Sequence, residues 1–372
     1  MKATQRPIIH AGADSPQRLL VVATRRIGDV LLTTPLIRSL RRAWPEAKID
    51  VLVFAHTEGL LLANPDIRRI ITIPERFGFW SHLGFLARIF RHYDIALSTL
   101  TGDRPTLYAW AAGKKRVGMV ENRPGQQWKK RLLSNWVDFD NLNTHTVLMN
   151  LQLADLLAIP HSHEIVVSWT PKDEKVVSGV LPFDIRREKF ALAHVYPKFP
   201  YKMWHKQGWA ALGQWLNSKG IRLVLTGSPA PDELAYVGEI MRILPGDTVN
   251  LAGRLNLSQA AFLASLARLY IGPDTAMTHM AAALGVPAIA LFGPSNPVKW
   301  GPWPKGYERD ANPYRMQGSQ LVGNVFLLQG EGDCVPCLEE GCERHVNSLS
   351  DCLQHLPAEK VIQAAEKMLR AL

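Results

Sequence analysis

The fold of this chain is decided by the stretch IGPDTAMTHMAAALGVPAIALFG, residues 271–293. The pattern predicts the end of a strand, a sharp turn at Asp274 and Thr275, a helix, and a second strand over residues 288–293. We expect Asp274 or Thr275 to cap the helix by accepting a hydrogen bond from one of its first N–H groups. The N–H groups that remain, with the positive end of the helix dipole, attract a phosphate. The stretch therefore predicts a phosphate site in an α/β domain; the alternative is an ordinary capped helix.

A second strand–turn–helix motif lies near the start of the chain. An apolar strand over residues 19–24 meets a turn that carries Gly28 and Asp29, and a helix follows over residues 31–42. Open α/β folds bind ligands at the carboxyl edge of the sheet, which is where this turn places Asp29. The two motifs together predict an α/β chain with two Rossmann-like, doubly wound domains that face a shared cleft.

These motifs resemble glycosyltransferase family 9, the family of the ADP-heptose–lipopolysaccharide heptosyltransferases. The matching pieces are residues 26–35, Lys202-Met203-Trp204 and residues 272–287. The proline that the family frequently has after the tryptophan is His205 here. The resemblance extends over about residues 18–310. It implies the GT-B fold and an inverting enzyme that moves a sugar, heptose from ADP-heptose, onto a lipopolysaccharide core acceptor.

The length of 372 residues exceeds what one hydrophobic core usually supports. We expect a flexible tail over 1–17, an acceptor-binding Rossmann-like domain over 18–170 and a nucleotide-sugar-binding domain over 171–357. We expect residues 159–175 to form the linker between the two domains. The resemblance to GT-B proteins implies that a C-terminal helix over 358–372 crosses back to the first domain.

The charge is uneven along the chain. Residues 1–168 hold 22 basic and 14 acidic side chains, while the rest hold 21 and 19. A basic first half suits an anionic lipid-linked oligosaccharide or the inner membrane surface, and the alternative is a solvated basic face. We expect no nucleic-acid partner, because no recognised nucleic-acid motif accompanies the charge.

No run of 18 apolar residues occurs, and residues 1–17 lack an apolar signal core, so we expect a cytoplasmic protein. Residues 80–92 form a basic amphipathic helical pattern. Such a helix lies against a membrane from the inner face, or it simply covers the sheet.

Sugar transfer requires a base, and Asp29 is the candidate because a carboxylate accepts a proton from an attacking hydroxyl. The family resemblance implies the same role, and the alternative is a helix cap. We assign acceptor binding to Arg26, Asp103 and Arg104 in the basic half.

The donor residues are assigned around the opening stretch. Lys202 is the candidate cation for the diphosphate, with a surface lysine as the alternative. Thr275 and the backbone of Ala276 and Met277 are expected to bind phosphate oxygens. The resemblance implies that Asp274 lies near the transferred sugar or orients the loop. His279 either touches phosphate or is a packed core histidine.

The nucleoside is assigned to a turn that ends a predicted strand, Thr226 and Gly227. Asp232 or Glu233 is expected to hold the ribose, because carboxylates suit vicinal hydroxyl groups; the alternative is a pair of exposed helix-start acids. No cluster of acids accompanies the diphosphate residues, so we expect no catalytic Mg²⁺.

Four cysteines form a separate signal, since Cys334, Cys337, Cys342 and Cys352 are the only cysteines in the chain. In a cytosolic protein this clustering favours a structural Zn or Fe site over disulfides. The alternative is four reduced thiols or a redox-labile pair. The cluster is similar to that of the relatives that modify proteins, the autotransporter heptosyltransferases, in which cysteines ligate an iron. Two other functions remain open: the chain transfers heptose to a protein acceptor, or it binds a nucleotide sugar without catalysing transfer.

Overall fold

The computed structural model describes residues 15–76 and 78–370, so residues 1–14 of the predicted tail and the last two residues of the predicted C-terminal helix lie outside it. The chain divides into two compact units. The first comprises the chain up to Val166 together with Glu308–Ala311, and the second comprises Val167–Tyr307 and the chain from Asn312.

The first unit is a parallel six-stranded sheet in the order β3-β2-β1-β4-β5-β6. Its central strand β1 is almost continuously apolar and buried because helices cover both faces of the sheet. The elements are β1 Arg18–Val22, α1 Ile27–Leu31, α2 Thr34–Ala43, β2 Lys48–Phe54, β3 Arg69–Ile73, α3 Phe79–Ile89, β4 Tyr93–Ser98, α4 Asp103–Ala112, β5 Gly113–Val120, β6 Asn135–Asp138 and α5 Thr146–Asp155.

The predicted single helix over residues 31–42 is two helices, and it begins earlier than expected. Pro35 has no N–H to donate to the carbonyl of Leu31, so α1 ends there and Pro35 lies in the first turn of α2. The hydroxyl groups of Thr33 and Thr34 donate to the carbonyls of Val30 and Leu31 at 2.6 and 2.8 Å, which satisfies acceptors at the break. Asp29 therefore lies inside α1 rather than in the turn before a helix.

The second unit is a seven-stranded sheet in the order β12-β13-β11-β10-β7-β8-β9, parallel except for the edge strand β12. The buried strands β10 and β11 flank α10 in sequence, as the opening stretch predicts. The elements are α6 Pro171–Val180, β7 Phe190–His194, α7 Lys206–Ser218, β8 Arg222–Thr226, α8 Pro231–Met241, β9 Val249–Asn250, α9 Leu257–Ser265, β10 Leu269–Pro273, α10 Ala276–Leu284, β11 Ala288–Phe292, α11 Pro297–Trp300, β12 Gln320–Val322, β13 Val325–Gln329, α12 Asp351–Gln354 and α13 Ala358–Arg370.

The C-terminal helix α13 packs within the second unit, which differs from the expectation that it crosses back to the first domain. Its apolar side chains Val361, Ala365 and Met368 are buried in the core that α7 and the second sheet share. A helix with a single apolar face can bury that face against only one sheet, and α13 buries it against the second sheet. Among the described residues, no helix is long and apolar enough to cross a membrane.

Candidate functional site

The N-terminus of α10 is built differently from the predicted capped turn. Thr275 is the N-cap residue, but its side chain makes no capping hydrogen bond, and Asp274 does not cap the helix either. Thr278 instead donates from its hydroxyl to the carbonyl of Pro273 and lies 2.9 Å from the hydroxyl of Tyr270. The threonine one turn into the helix therefore fixes the turn, while the first N–H groups of α10 donate no hydrogen bond to the N-cap side chain.

Asp274 pairs with a lysine from a distant part of the chain. The Nζ of Lys202, at the end of the 3₁₀ turn Pro200–Lys202, donates to Asp274 Oδ2. The Nε2 of His279 lies 3.7 Å from the other carboxylate oxygen, Oδ1. The side chains of all three residues are at least four-fifths buried. Three of the predicted donor residues thus form one cluster beside the N-terminus of α10, which we call the lysine cluster (Lys202, Asp274 and His279).

The electrostatics of the lysine cluster favour an ionised carboxylate. Burial alone raises the pKa of Asp274, but the charge of Lys202 and the bond from His279 outweigh burial and hold that pKa well below its usual range. The Nδ1 of His279 is buried and has no hydrogen-bond partner among the described residues. His279 is therefore a packed histidine beside the lysine cluster's carboxylate, and its contact with phosphate stays a prediction.

A second polar group lies at the same carboxyl edge of the second sheet, where β7 and β8 end. Glu233, in the first turn of α8, is buried, whereas Asp232 is exposed, so the structure favours Glu233 of the two predicted acids. Glu233 accepts a hydrogen bond from the hydroxyl of Ser228. Its Oε1 lies 3.7 Å from His194 Nε2 and has no hydrogen-bond partner among the described residues.

Thr226 and Gly227 complete this group, which we call the glutamate cluster (His194, Thr226, Gly227, Ser228 and Glu233). The Nδ1 of His194 lies 3.3 Å from Thr226 Oγ1. A Cβ at Gly227 would lie 2.8 Å from Glu233 Oε1, so the close approach requires glycine. Burial lowers the pKa of His194, against the opposing charge of Glu233, and this favours neutral imidazole.

The first unit places Asp29 near the carboxyl end of β1. The Asp29 side chain is 14% exposed and its Oδ1 lies 3.5 Å from the Nε of Arg25, four residues earlier. Asp29 is the third residue of α1, whose N-cap is Arg26, so Asp29 is not the N-cap residue. Arg26 is exposed.

Asp103 and Arg104 begin α4, just after β4. Because β1 and β4 are parallel neighbours, both ends lie at one edge of the first sheet. Asp103 is 65% exposed and pairs at 2.7 Å with Lys129, a lysine that is almost fully buried. Arg104 donates to the carbonyl of Glu75 and to the hydroxyl of Tyr108. The structure therefore gives both residues structural partners at that edge.

Cys334, Cys337 and Cys342 lie in a loop of the second unit that leads into α12, and Cys352 lies in α12. Asp351 donates from its N–H to Cys342 Sγ at 3.3 Å, and Cys334 and Cys342 are exposed. Burial and the neighbouring thiols raise the pKa of Cys352 to about 12. Among the described residues, one group of His, Cys, Asp or Glu side chains has ligand atoms spaced to hold a metal, and it does not include these cysteines. Thiols are suitable ligands for Zn or Fe, but the distances between these sulfur atoms are too long for them to share one metal ion.

Two neighbours of the candidate residues were absent from the sequence prediction. His194 and Thr278 each contact a predicted residue. A histidine at the end of a buried strand is a usable signal, since strand ends carry ligand groups in this class of fold. Thr278 shares a helix face with Thr275 at the i, i+3 spacing. The partner of Lys202 had no sequence signal, because 72 residues separate it from Asp274.

Comparisons with known proteins agree with this architecture. The family model for glycosyltransferase family 9 (heptosyltransferase) matches residues 90–317, more than half of the chain. The chain is 28% identical to lipopolysaccharide heptosyltransferase 3 of Escherichia coli K12 over 356 residues, which cover 92% of this chain and 95% of that protein.

Two solved structures have the same fold. The glycosyl transferase family 9 protein of Veillonella parvula superposes with a TM-score of 0.75 at 20% identity, covering 96% of this chain and 98% of that one. The ADP-heptose lipopolysaccharide heptosyltransferase II of E. coli superposes with a TM-score of 0.74 at 20% identity, covering 95% and 99%. These structures confirm the predicted α/β fold with two parallel-sheet domains.

Proposed function

This chain belongs to glycosyltransferase family 9, and on that premise we propose that it transfers heptose from ADP-heptose onto a lipopolysaccharide core acceptor with inversion. The names of two similar proteins support the donor and the acceptor class. The observation that carries the proposal is the lysine cluster at the N-terminus of α10, because a buried cation beside uncapped helix N–H groups suits a diphosphate.

On the donor side, the leaving group is ADP, and its new negative charge develops on the diphosphate. Lys202 pairs with Asp274, the residue before the N-cap of α10, and Thr275 with the N–H groups of Ala276 and Met277 supplies hydrogen-bond donors at that helix end. Asp274 holds the Lys202 ammonium in place before the donor binds. These groups stabilise the leaving diphosphate without a divalent cation, so turnover is expected to be unchanged in EDTA.

On the acceptor side, Asp29 is the proposed base. It takes the proton from the acceptor hydroxyl as the oxygen attacks the anomeric carbon, and the bond from that carbon to the diphosphate oxygen breaks. Attack from the face opposite the leaving group inverts the anomeric configuration. Arg26, Asp103 and Arg104 are proposed to bind the acceptor, whose phosphates suit the basic first half of the chain.

The glutamate cluster is proposed to hold the ribose of ADP. The buried Glu233 Oε1 has no hydrogen-bond partner among the described residues, and an unpaired buried carboxylate oxygen favours a ligand that donates. A ribose hydroxyl is such a donor. Thr226 and Gly227 line the same turn, and Gly227 leaves room for close approach.

The test is transfer with purified components. The chain, ADP-heptose and a heptose-deficient lipopolysaccharide core should give ADP and a core one heptose heavier by mass spectrometry, whereas UDP- and GDP-sugars should not react. A mass shift on a co-expressed protein, with none on the core, would favour the protein-acceptor reading. Donor binding without transfer to either acceptor would favour a non-catalytic relative.

We also propose that the first unit binds the anionic inner surface of the membrane through α3. One side of this helix covers the sheet, since Ile89 is buried and Phe85 and Leu86 pack against the core. The other side leaves Phe79 and Trp80 69% and 81% exposed. Arg88 and Arg91 are exposed at the other end of this segment, where the Arg91 guanidinium carbon lies 5.8 Å from the centre of the exposed Phe90 ring, and basic groups with exposed aromatic rings suit an anionic bilayer.

Sedimentation with vesicles tests the membrane proposal. The chain should bind vesicles that contain phosphatidylglycerol and not vesicles of phosphatidylcholine alone. The Phe79→Ser/Trp80→Ser chain should bind the anionic vesicles several-fold more weakly. Leu62→Ser is the matched control, because Leu62 is equally exposed in the same unit. Equal losses in both chains would contradict a role for α3.

A structural Zn or Fe at the cysteines remains part of the proposal. Four thiols within 19 residues suit either metal, and a metal would have to draw the sulfurs together. Elemental analysis of fresh protein should give one more Zn or Fe per chain than the Cys337→Ser protein retains. Fully active protein that contains no metal would contradict the proposal of a structural metal at the cysteines.

A further inference from the structure

Two histidines and an aspartate meet at a polar cavity of about 460 Å³ in the first unit. His161 and His163 lie in the extended segment after α5. Asp310 lies in Glu308–Ala311, four residues that belong to the first unit although the chain on either side belongs to the second. One ligand atom from each of the three residues lies within 4.8 Å of the other two.

We propose that His161, His163 and Asp310 bind a divalent transition-metal ion of the zinc type, which fixes Glu308–Ala311 to the segment after α5. Two imidazoles and one carboxylate are ligands that zinc prefers, and three protein ligands leave the fourth tetrahedral position for water. The spacing His-x-His places two rings on one side of an extended segment, because side chains alternate there.

The ligand atoms are already close to a metal geometry. Asp310 Oδ1 lies 2.6 Å from His161 Nδ1 and 2.8 Å from His163 Nε2. Ligand atoms of a tetrahedral zinc site lie about 3.3 Å apart, given metal–ligand distances of about 2.0–2.1 Å. A small outward movement of the carboxylate admits the ion. The Asp310 side chain is 65% exposed and free of tight packing, which permits that movement.

An outer carboxylate orients the first ligand. The Nε2 of His161, the nitrogen that would not face the metal, lies 2.9 Å from Asp155 Oδ1. Histidines that ligate metals commonly donate their second N–H to a carboxylate, which fixes the ring and the tautomer. The His161 and His163 side chains are 17% and 9% exposed, so their rings are held by the fold before an ion arrives.

Titration of the full chain with Co²⁺ tests the proposal, because the cobalt spectrum separates this site from the cysteines. Cobalt bound by imidazole and carboxylate gives visible d–d bands without the near-ultraviolet charge transfer of cobalt–thiolate bonds. We expect one such thiolate-free site, displaced by Zn²⁺. His163→Gln and Asp310→Asn should each weaken it at least tenfold.

Matched variants separate ligation from folding. Asp155→Asn should keep the stoichiometry but weaken binding about 10- to 100-fold, as outer carboxylates do. Asp310→Glu should retain the site, and His56→Gln, which removes an exposed histidine elsewhere in the unit, should bind as the original chain does. Unchanged affinity in His163→Gln and Asp310→Asn, or a spectrum with thiolate bands alone, would overturn the proposal. Heptosyl transfer is not needed for either readout.

Discussion

The two sheet edges that carry the candidate residues pair their charges in opposite ways. In the first unit, Asp29 meets Arg25 four residues away on the same short helix, and Arg25 is 46% exposed. In the second, Lys202 and Asp274 are 72 residues apart in sequence, and their side chains are 18% and 8% exposed. A buried pair between distant segments exists only once the sheet has formed, so it holds its atoms in fixed positions.

This difference fits the proposed division of work. A diphosphate is small and of constant shape, and a rigid, buried cluster binds it with little loss of side-chain entropy. An oligosaccharide acceptor is large, and exposed groups with local partners leave an open surface for it. The comparison predicts that substitutions in the two units have separable effects on acceptor and donor.

The largest effect is expected from Asp29→Asn. Amide in place of carboxylate removes the base while keeping the shape, so kcat should fall by about 10²- to 10⁴-fold with the donor KM nearly unchanged. Steady-state kinetics with both substrates varied measures this. Asp103→Asn is the matched comparison at the same edge and should raise the acceptor KM with little change in kcat. Near-normal turnover in Asp29→Asn would remove its role as base.

The second effect concerns the lysine cluster. Lys202→Met should weaken ADP binding and lower kcat, because the cation for the diphosphate is lost. The same change leaves Asp274 buried without its cation, at a cost of about 3 kcal/mol in the free energy of unfolding. Adding Asp274→Asn should recover most of that stability without recovering activity.

Urea unfolding and ADP titration of the single and double variants measure these two effects separately. Recovery of both stability and turnover in the double variant would mean that Lys202 acts only through the ion pair. Recovery of neither would mean that the buried carboxylate is not the source of the instability.

The third and smaller effect lies in the glutamate cluster. Glu233→Gln should weaken ADP binding about 10-fold, the scale of one hydrogen bond to a charged acceptor. Asp232→Asn is the control, because Asp232 is the exposed neighbour in the same helical turn. Calorimetric titration with ADP distinguishes them. Equal losses would indicate a general charge effect at the start of α8 rather than a bond to ribose.

The same contrast explains what the sequence could predict. Periodic apolar runs and glycine turns define the two parallel sheets, and α10 begins where residues 271–293 indicate. The break between α1 and α2 follows from the backbone N–H that Pro35 lacks, so the sequence alone was sufficient to predict it. Local patterns therefore place the elements and the residues at strand ends.

Pairings between distant residues could not be predicted from the sequence. Sequence spacing carries no distance between Lys202 and Asp274, and it gives no reason for His161 to meet Asp310. The same limit applies to the packing of α13, whose apolar stripe fits either sheet until the three-dimensional neighbours are known. The cysteine spacing suggested a metal, yet ligand spacing depends on how the loop folds.

The smallest effect is a pH dependence that separates the two edges. The folded state holds the pKa of Asp274 below its unfolded value of about 3.9. A depressed carboxyl pKa stabilises the fold above the unfolded pKa, and that stabilisation is lost as pH falls toward the folded pKa. The difference in unfolding free energy between the original chain and Asp274→Asn should therefore stay constant from pH 8 to about pH 5 and shrink below about pH 4.

Asp103→Asn should show a smaller difference at pH 7, since the Asp103 carboxylate is 65% exposed to water and salt, although its partner Lys129 is buried. Urea unfolding of both variants at pH 7, 5, 4 and 3 makes the comparison, and added salt should leave the Asp274 difference intact. If the Asp274 and Asp103 differences followed the same pH curve, the second edge would be no more preorganised than the first. The donor would then have to organise its own site on binding.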